Sequence, residues 1–69
     1  MTEEELYNEE LYKKAVDLVV TNNRPTISYI QRMLAIGYNK AALFIERMEA
    51  EKIVSAPNAE GKRTLLKKS

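Results

Sequence analysis

The 69-residue chain contains no cysteine and no histidine. This excludes disulfide staples, thiolate chemistry and zinc sites of the usual ligand types, and it removes the commonest general base. Long apolar runs are missing as well. The longest, Ala41-Ala42-Leu43-Phe44-Ile45, falls far short of the roughly 20 residues that a membrane span needs. The N-terminus is acidic where a signal peptide is basic, so the sequence predicts a cytosolic chain or a cytosolic piece of something larger. A chain of this size buries only about 60% of its unfolded surface, which leaves one thin core and no room for an enclosed active site. Lacking histidine, cysteine and a phosphate-binding loop, it offers no reaction. The expectation is a binding domain without cofactor or metal, not an enzyme.

Charge is nearly balanced, at +1 overall, but it is unevenly placed. Residues 1–10 carry five acids (Glu3, Glu4, Glu5, Glu9, Glu10) and no base, whereas residues 11–69 carry all eleven bases against five acids. A basic body behind an acidic leader fits a modest phosphate-contacting surface. A solubilising leader on an ordinary domain fits the composition equally well. The division expected is an acidic leader over residues 1–8, disordered or an early helical turn, and one domain over residues 9–69.

Along that domain, Tyr7, Leu11, Ala15, Leu18 and Val19 recur at helical spacing. They predict a first helix over residues 9–21 with Asn8 as its cap and Pro25 beyond its end. Thr26-Ile27 reads as a very short strand. Ser28 and Gln31 match a capping box opening a second helix, with Ile30, Met33 and Leu34 facing inward. Gly37 supplies the left-handed residue that ends it, and Asn39 caps a third helix over residues 40–51. Ile53-Val54-Ser55 and Thr64-Leu65-Leu66 read as a hairpin around a polar loop containing Pro57 and Gly61. Three helices and a short β-hairpin make an α+β, mostly α, winged helix-turn-helix.

On the third helix, Ala41, Phe44, Ile45, Met48 and the Lys52 stem fall within a stripe roughly 100° wide, the width of a core-facing side. Asn39, Lys40, Leu43, Glu46, Arg47 and Ala50 fall opposite. Such a face suits the major groove of duplex DNA, where an asparagine amide reads adenine and a glutamate accepts from cytosine. Lys40 and Arg47 flank it at angles suited to phosphates or, for Arg47, a guanine edge. Each residue also has a plainer role open to it. Asn39 caps the helix, Glu46 pairs with Lys40 or Arg47, and those two bases solubilise the surface. Leu43 either contacts a thymine methyl or staples Tyr38, and the staple is the favoured expectation. Arg32 on the second helix, and Lys62 and Arg63 at the loop's end, complete the candidate DNA contacts. The four tyrosines read as core-edge residues, since they share no strand face on which bases would stack.

The stretch from residue 15 to residue 66 resembles the C-terminal gamma domain of the FtsK/SpoIIIE family of bacterial DNA translocases. The blocks IGYNKAA (residues 36–42) and IERMEA (residues 45–50) carry the likeness most specifically. It extends to Ala15-Val16, Ile27-Ser28, Gln31-Arg32, Ile53-Val54-Ser55 and Gly61-Lys62-Arg63. The resemblance implies a winged helix that binds short, polarised, G-rich duplex sequences and orients a hexameric motor toward the chromosome terminus. It further implies activation of a tyrosine recombinase, neighbouring copies of the domain on adjacent DNA, and a place on the cytoplasmic side of an inner-membrane-anchored protein. Base-reading residues of the family fall on Asn39 and Glu46. Where well-known members carry arginine, this chain has Leu43, so a bidentate guanine contact is missing. A stand-alone winged-helix transcription regulator is the alternative, although little chain is left for a dimerisation element. A winged helix used only to dock protein is another, for which Leu43 is the best support.

Overall fold

The computed structural model describes residues 2–67. Three helices follow one another: α1 (Glu3–Asn22), α2 (Ile27–Leu34) and α3 (Tyr38–Ala50). From Glu3 onward the acidic leader is therefore helical and part of α1, which starts six residues earlier than the spacing predicts. The reason is local. Thr2 Oγ1 accepts from the Glu5 amide at 3.1 Å and the Glu5 carboxylate accepts from the Thr2 amide, a capping box that Asn8 does not rival. Glu3, Glu4 and Glu5 then lie at the positive end of the helix dipole. Residues 3–7 stay exposed. Tyr7, expected in the buried stripe, is 57% exposed, and the core begins one turn later at Leu11.

Thr26 forms no strand. Its hydroxyl accepts from the Tyr29 amide at 3.2 Å and caps α2, a role assigned to Ser28 from sequence. Ile30 is fully buried and Leu34 half-buried, but Met33, expected inside, is exposed. The turn into α3 also differs from expectation. Ala35, at φ 54°, is the left-handed residue, and the Ile36 amide closes back on the Gln31 carbonyl. Gly37 sits at φ −72°, ψ 163° as the N-cap of α3, whose first intrahelical bond runs from the Ala41 amide to the Gly37 carbonyl. Asn39 thus lies inside the helix and caps nothing. With Gly37 as cap, the staple positions are Ile36 and Ala41, not Tyr38 and Leu43. Ile36 is half-buried against the core and Ala41 is fully buried.

At the far end of α3, Lys52 takes the left-handed conformation (φ 63°). The Ile53 amide bonds the Met48 carbonyl at 2.8 Å and the Lys52 amide bonds Glu49 at 3.1 Å, the two closures of a Schellman turn. Lys52 is exposed, so its stem leaves the buried stripe that α3 otherwise shows in Ala41, Phe44, Ile45 and Met48. Those four pack with Leu11, Tyr12, Ala15 and Val19 of α1, Ile30 of α2, and Ile53 and Val54 into one core. The Tyr12 and Phe44 rings meet edge-on at 5.6 Å.

The expected β-hairpin is not present, and no strand occurs among the described residues. A single antiparallel bridge joins Val54 and Leu65. Side chains take the groups that would extend it. The Thr64 amide donates to the Ser55 hydroxyl at 2.9 Å, and the Ser55 carbonyl accepts from Arg63 Nη1 at 3.3 Å. The loop tip is instead tied by Asn58, whose Oδ1 accepts from the Glu60 and Lys62 amides at 2.9 and 3.0 Å, while Gly61 supplies a φ of +80°. No helix among the described residues is long and apolar enough to cross a membrane.

Candidate nucleic-acid interface

The α3 surface opposite the core carries Asn39, Leu43 and Glu46, all exposed, with Leu43 at 65%. Their spacing of four and three residues places them on one side of the helix. Among the described residues, neither Asn39 nor Glu46 makes a side-chain hydrogen bond, and Glu46 joins no ion pair. An amide, an aliphatic tip and a carboxylate are therefore available together on one face.

The flanking cations are held very differently. Arg47 is bound at both Nη1 and Nη2 by the Glu9 carboxylate of α1, the Nη2 bond being 3.1 Å, and its Nε donates to Glu51 at 3.3 Å. The guanidinium also stacks over the Tyr12 ring at 4.0 Å. Its hydrogen bonds to Glu9 raise the Arg47 pKa further and hold the Glu9 carboxyl below the usual carboxylate range. Tyr12 Oη donates to Glu51 at 2.6 Å, which depresses the Glu51 carboxyl. Burial, reinforced by Glu51, raises the Tyr12 phenol. These four side chains form one latch between α1 and α3.

Lys40 is tethered more lightly. Its Nζ donates to Asn8 Oδ1 at 3.0 Å and lies 5.7 Å from the Tyr7 ring centroid, and among the described residues no carboxylate pairs with it. Arg63, expected at the loop's surface, is half-buried and bound to Glu49 and to the Ser55 carbonyl. Lys62 is exposed, with only a loose 3.8 Å contact to Glu60. The loop nevertheless reaches the helices. Lys62 and Arg63 line a hollow of about 470 Å³ together with Thr26, Ser28 and Tyr38, beside the starts of α2 and α3. Arg32 is exposed on α2 and lines a second open hollow of about 430 Å³ with Arg24, Tyr29, Asn22 and Met33.

Of the residues singled out from sequence, Asn39, Leu43, Glu46, Arg32 and Lys62 are exposed and take part in no strong ion pair among the described residues. Lys40 is held by a neutral partner, and Arg47 and Arg63 by carboxylates. The sequence reading missed Arg24, whose guanidinium lies 5.8 Å from the Tyr29 ring centroid. A cation beside Pro25 with an aromatic residue five positions on was the available signal.

A family model described as "Ftsk gamma domain" matches residues 6–68. The chain belongs to the FtsK gamma domain family. It is 58% identical over 59 residues to "DNA translocase FtsK" of Rickettsia prowazekii, covering 86% of this chain and 8% of that protein. The corresponding protein of Rickettsia bellii is 59% identical over the same shares. "DNA translocase FtsK 2" of Neisseria meningitidis is 52% identical over 56 residues, 81% of this chain and 6% of that protein. This gamma domain thus spans less than a tenth of the length of these curated relatives.

Proposed function

We propose that this FtsK gamma domain binds double-stranded DNA and reads its sequence with the exposed face of α3. The observation that carries the reading is the uncommitted trio Asn39, Leu43 and Glu46 on a helix of 13 residues. Such a helix is roughly 20 Å long and fits a major groove about 12 Å wide. Asn39 donates and accepts at a base edge, Glu46 accepts from a cytosine amine, and Leu43 meets a thymine methyl. Lys40, Arg32 and Lys62 neutralise phosphates. Arg47 and Arg63 join them only by releasing Glu9 and Glu51, or Glu49.

The family adds the finer part of the proposal. The domain recognises short polarised G-rich motifs, orients a hexameric DNA translocase during chromosome segregation, and activates a tyrosine recombinase at the terminus. Several copies sit on adjacent DNA, on the cytoplasmic side of an inner-membrane-anchored protein. With leucine at position 43, discrimination for guanine is weaker than an arginine there would give.

A selection from random duplexes, followed by titration of the winners at several salt concentrations, tests this. Log affinity should fall with log salt by about 0.9 per phosphate contact. Glu46→Ala should flatten the ranking of sequences, since a good base contact discriminates by roughly 1–3 kcal/mol, while Lys62→Ala should weaken all sequences alike. No binding at low salt, or a flat salt response, removes the DNA reading. The exposure of Leu43 and Tyr38 (65% and 60%) would then favour a protein-docking surface.

A further inference from the structure

The chain has four arginines, and the structure divides them into two pairs. Arg47 and Arg63 are bound by carboxylates. Arg24 and Arg32 are exposed, form no ion pair among the described residues, and line the same hollow of about 430 Å³ where the end of α1 meets α2. We propose that Arg24 and Arg32 form a phosphate clamp at this corner, which grips the DNA backbone beside the α3 contacts.

Three features of the corner support the assignment, which rests on the DNA-binding reading above. The Tyr29 ring beneath the Arg24 guanidinium restrains it by a cation–π contact without consuming its N–H donors. Two guanidinium forks suit a phosphate better than two ammonium groups would, because each presents parallel donors to two oxygens. Asn22, which lines the same hollow, gives one amide N–H to the Leu18 carbonyl at 3.1 Å, and its second N–H is a further neutral donor for the anion. The location fits as well. Only residues 35–37 separate α2 from α3, and where a second helix enters the major groove the helix before it crosses the backbone. The phosphate-contacting charge thus lies largely on α2 and the turn before it, instead of on Arg47 and Arg63.

The test compares salt titrations on one duplex for the parent chain, Arg24→Gln, Arg32→Gln and, as a control for net charge, Lys14→Gln on the exposed side of α1. Each arginine variant should lower the slope of log affinity against log salt by about 0.9, a weakening of about eightfold at 0.1 M salt relative to 1 M. The loss should be equal for all sequences. Arg24→Lys should restore the slope, and Lys14→Gln should leave it unchanged. Unaltered melting temperatures show that the folds are intact. If the parent binds DNA and Arg24→Gln keeps its slope, the clamp is refuted and the DNA reading stands. If the parent binds no duplex at low salt, both fall. Titrating inorganic phosphate while following the Tyr29 amide by NMR separates the two sources of the anion. Saturation at millimolar phosphate, with no slope change on DNA for Arg24→Gln, would reassign the hollow to a free anion and overturn the backbone clamp.

Discussion

Moving the glycine of the α2–α3 turn by two positions gives two substitutions whose signs test the turn directly. Ala35 is left-handed at φ 54°, a conformation that costs an L-residue about 1–2 kcal/mol and glycine almost nothing. Ala35→Gly relieves that strain but enlarges the freedom of the unfolded chain, which gives back about 0.4–1 kcal/mol. The net expectation is a gain of about 0.5–1 kcal/mol. Gly37 has the opposite geometry: an extended φ of −72°, the N-cap position of α3, no side-chain cap, and nothing within 4 Å of where a Cβ would stand. Gly37→Ser should therefore gain from a stiffer unfolded chain and from a hydroxyl that accepts an orphan amide, together about 0.5–1 kcal/mol. At about 4–8 °C per kcal/mol for a domain of this size, each variant should melt about 2–8 °C higher. Urea denaturation at unchanged m-value gives the same quantity independently. If Gly37 were the left-handed residue, Gly37→Ser would lose stability and Ala35→Gly would lose it too. A fall in both midpoints would refute the turn described above.

Two further outcomes follow from the exposed and latched side chains. Leu43→Ala should change unfolding free energy by no more than about 0.5 kcal/mol, since neither Leu43 nor Tyr38 is covered, and should lower affinity for DNA; a loss of 1–3 kcal/mol, as for a buried leucine, would restore the staple. Tyr12, with its phenol raised by burial and by Glu51, contributes stability that is fully present below the unfolded value near 10 and is lost as pH rises beyond it. Stability of the parent chain should therefore fall more steeply than that of Tyr12→Phe between about pH 9 and 11, read by urea titration at each pH. Parallel declines would remove Tyr12 as the cause.

What could be read along the chain was what depends on neighbours in sequence. The i, i+3, i+4, i+7 spacing of Ala41, Phe44, Ile45 and Met48 placed α3 and its buried side because periodicity alone decides it. Caps were harder. Thr2, Thr26 and Gly37 won over Asn8, Ser28 and Asn39, offsets of six, two and two residues; the first two choices lay between polar residues of similar capping strength, whereas Gly37 caps without a side chain. All three helices end on a left-handed residue that is not glycine (Asn23, Ala35 and Lys52), so searching for glycine misplaced the turn. The hairpin failed for a different reason. Its apolar segments do meet, at Val54 and Leu65, but Ser55 and Arg63 take the backbone partners that a ladder needs.

The acidic start of the chain shows what sequence distance conceals. Read in order, residues 1–10 are a charged leader on a basic body, and every base in that body counts toward a phosphate-binding surface. In the fold, Glu9 is brought 38 positions along the chain onto Arg47. Together with Glu51 and Tyr12 it turns a candidate DNA contact into a brace between α1 and α3. Glu49 does the same to Arg63 from the end of α3. Of the candidate contacts, the set left for an anionic partner is smaller and differently placed than the charge count implies: Arg24 and Arg32 at the α1–α2 corner, Lys40 held by the neutral Asn8, and Lys62 in the loop. Glu46 is exposed on α3 and joins no ion pair among the described residues, although a carboxylate on a DNA-facing surface repels phosphate. A group whose charge opposes binding in general is useful only where it meets a hydrogen-bond donor in particular. On the DNA-binding proposal, Glu46 is therefore the residue on which sequence preference should most depend.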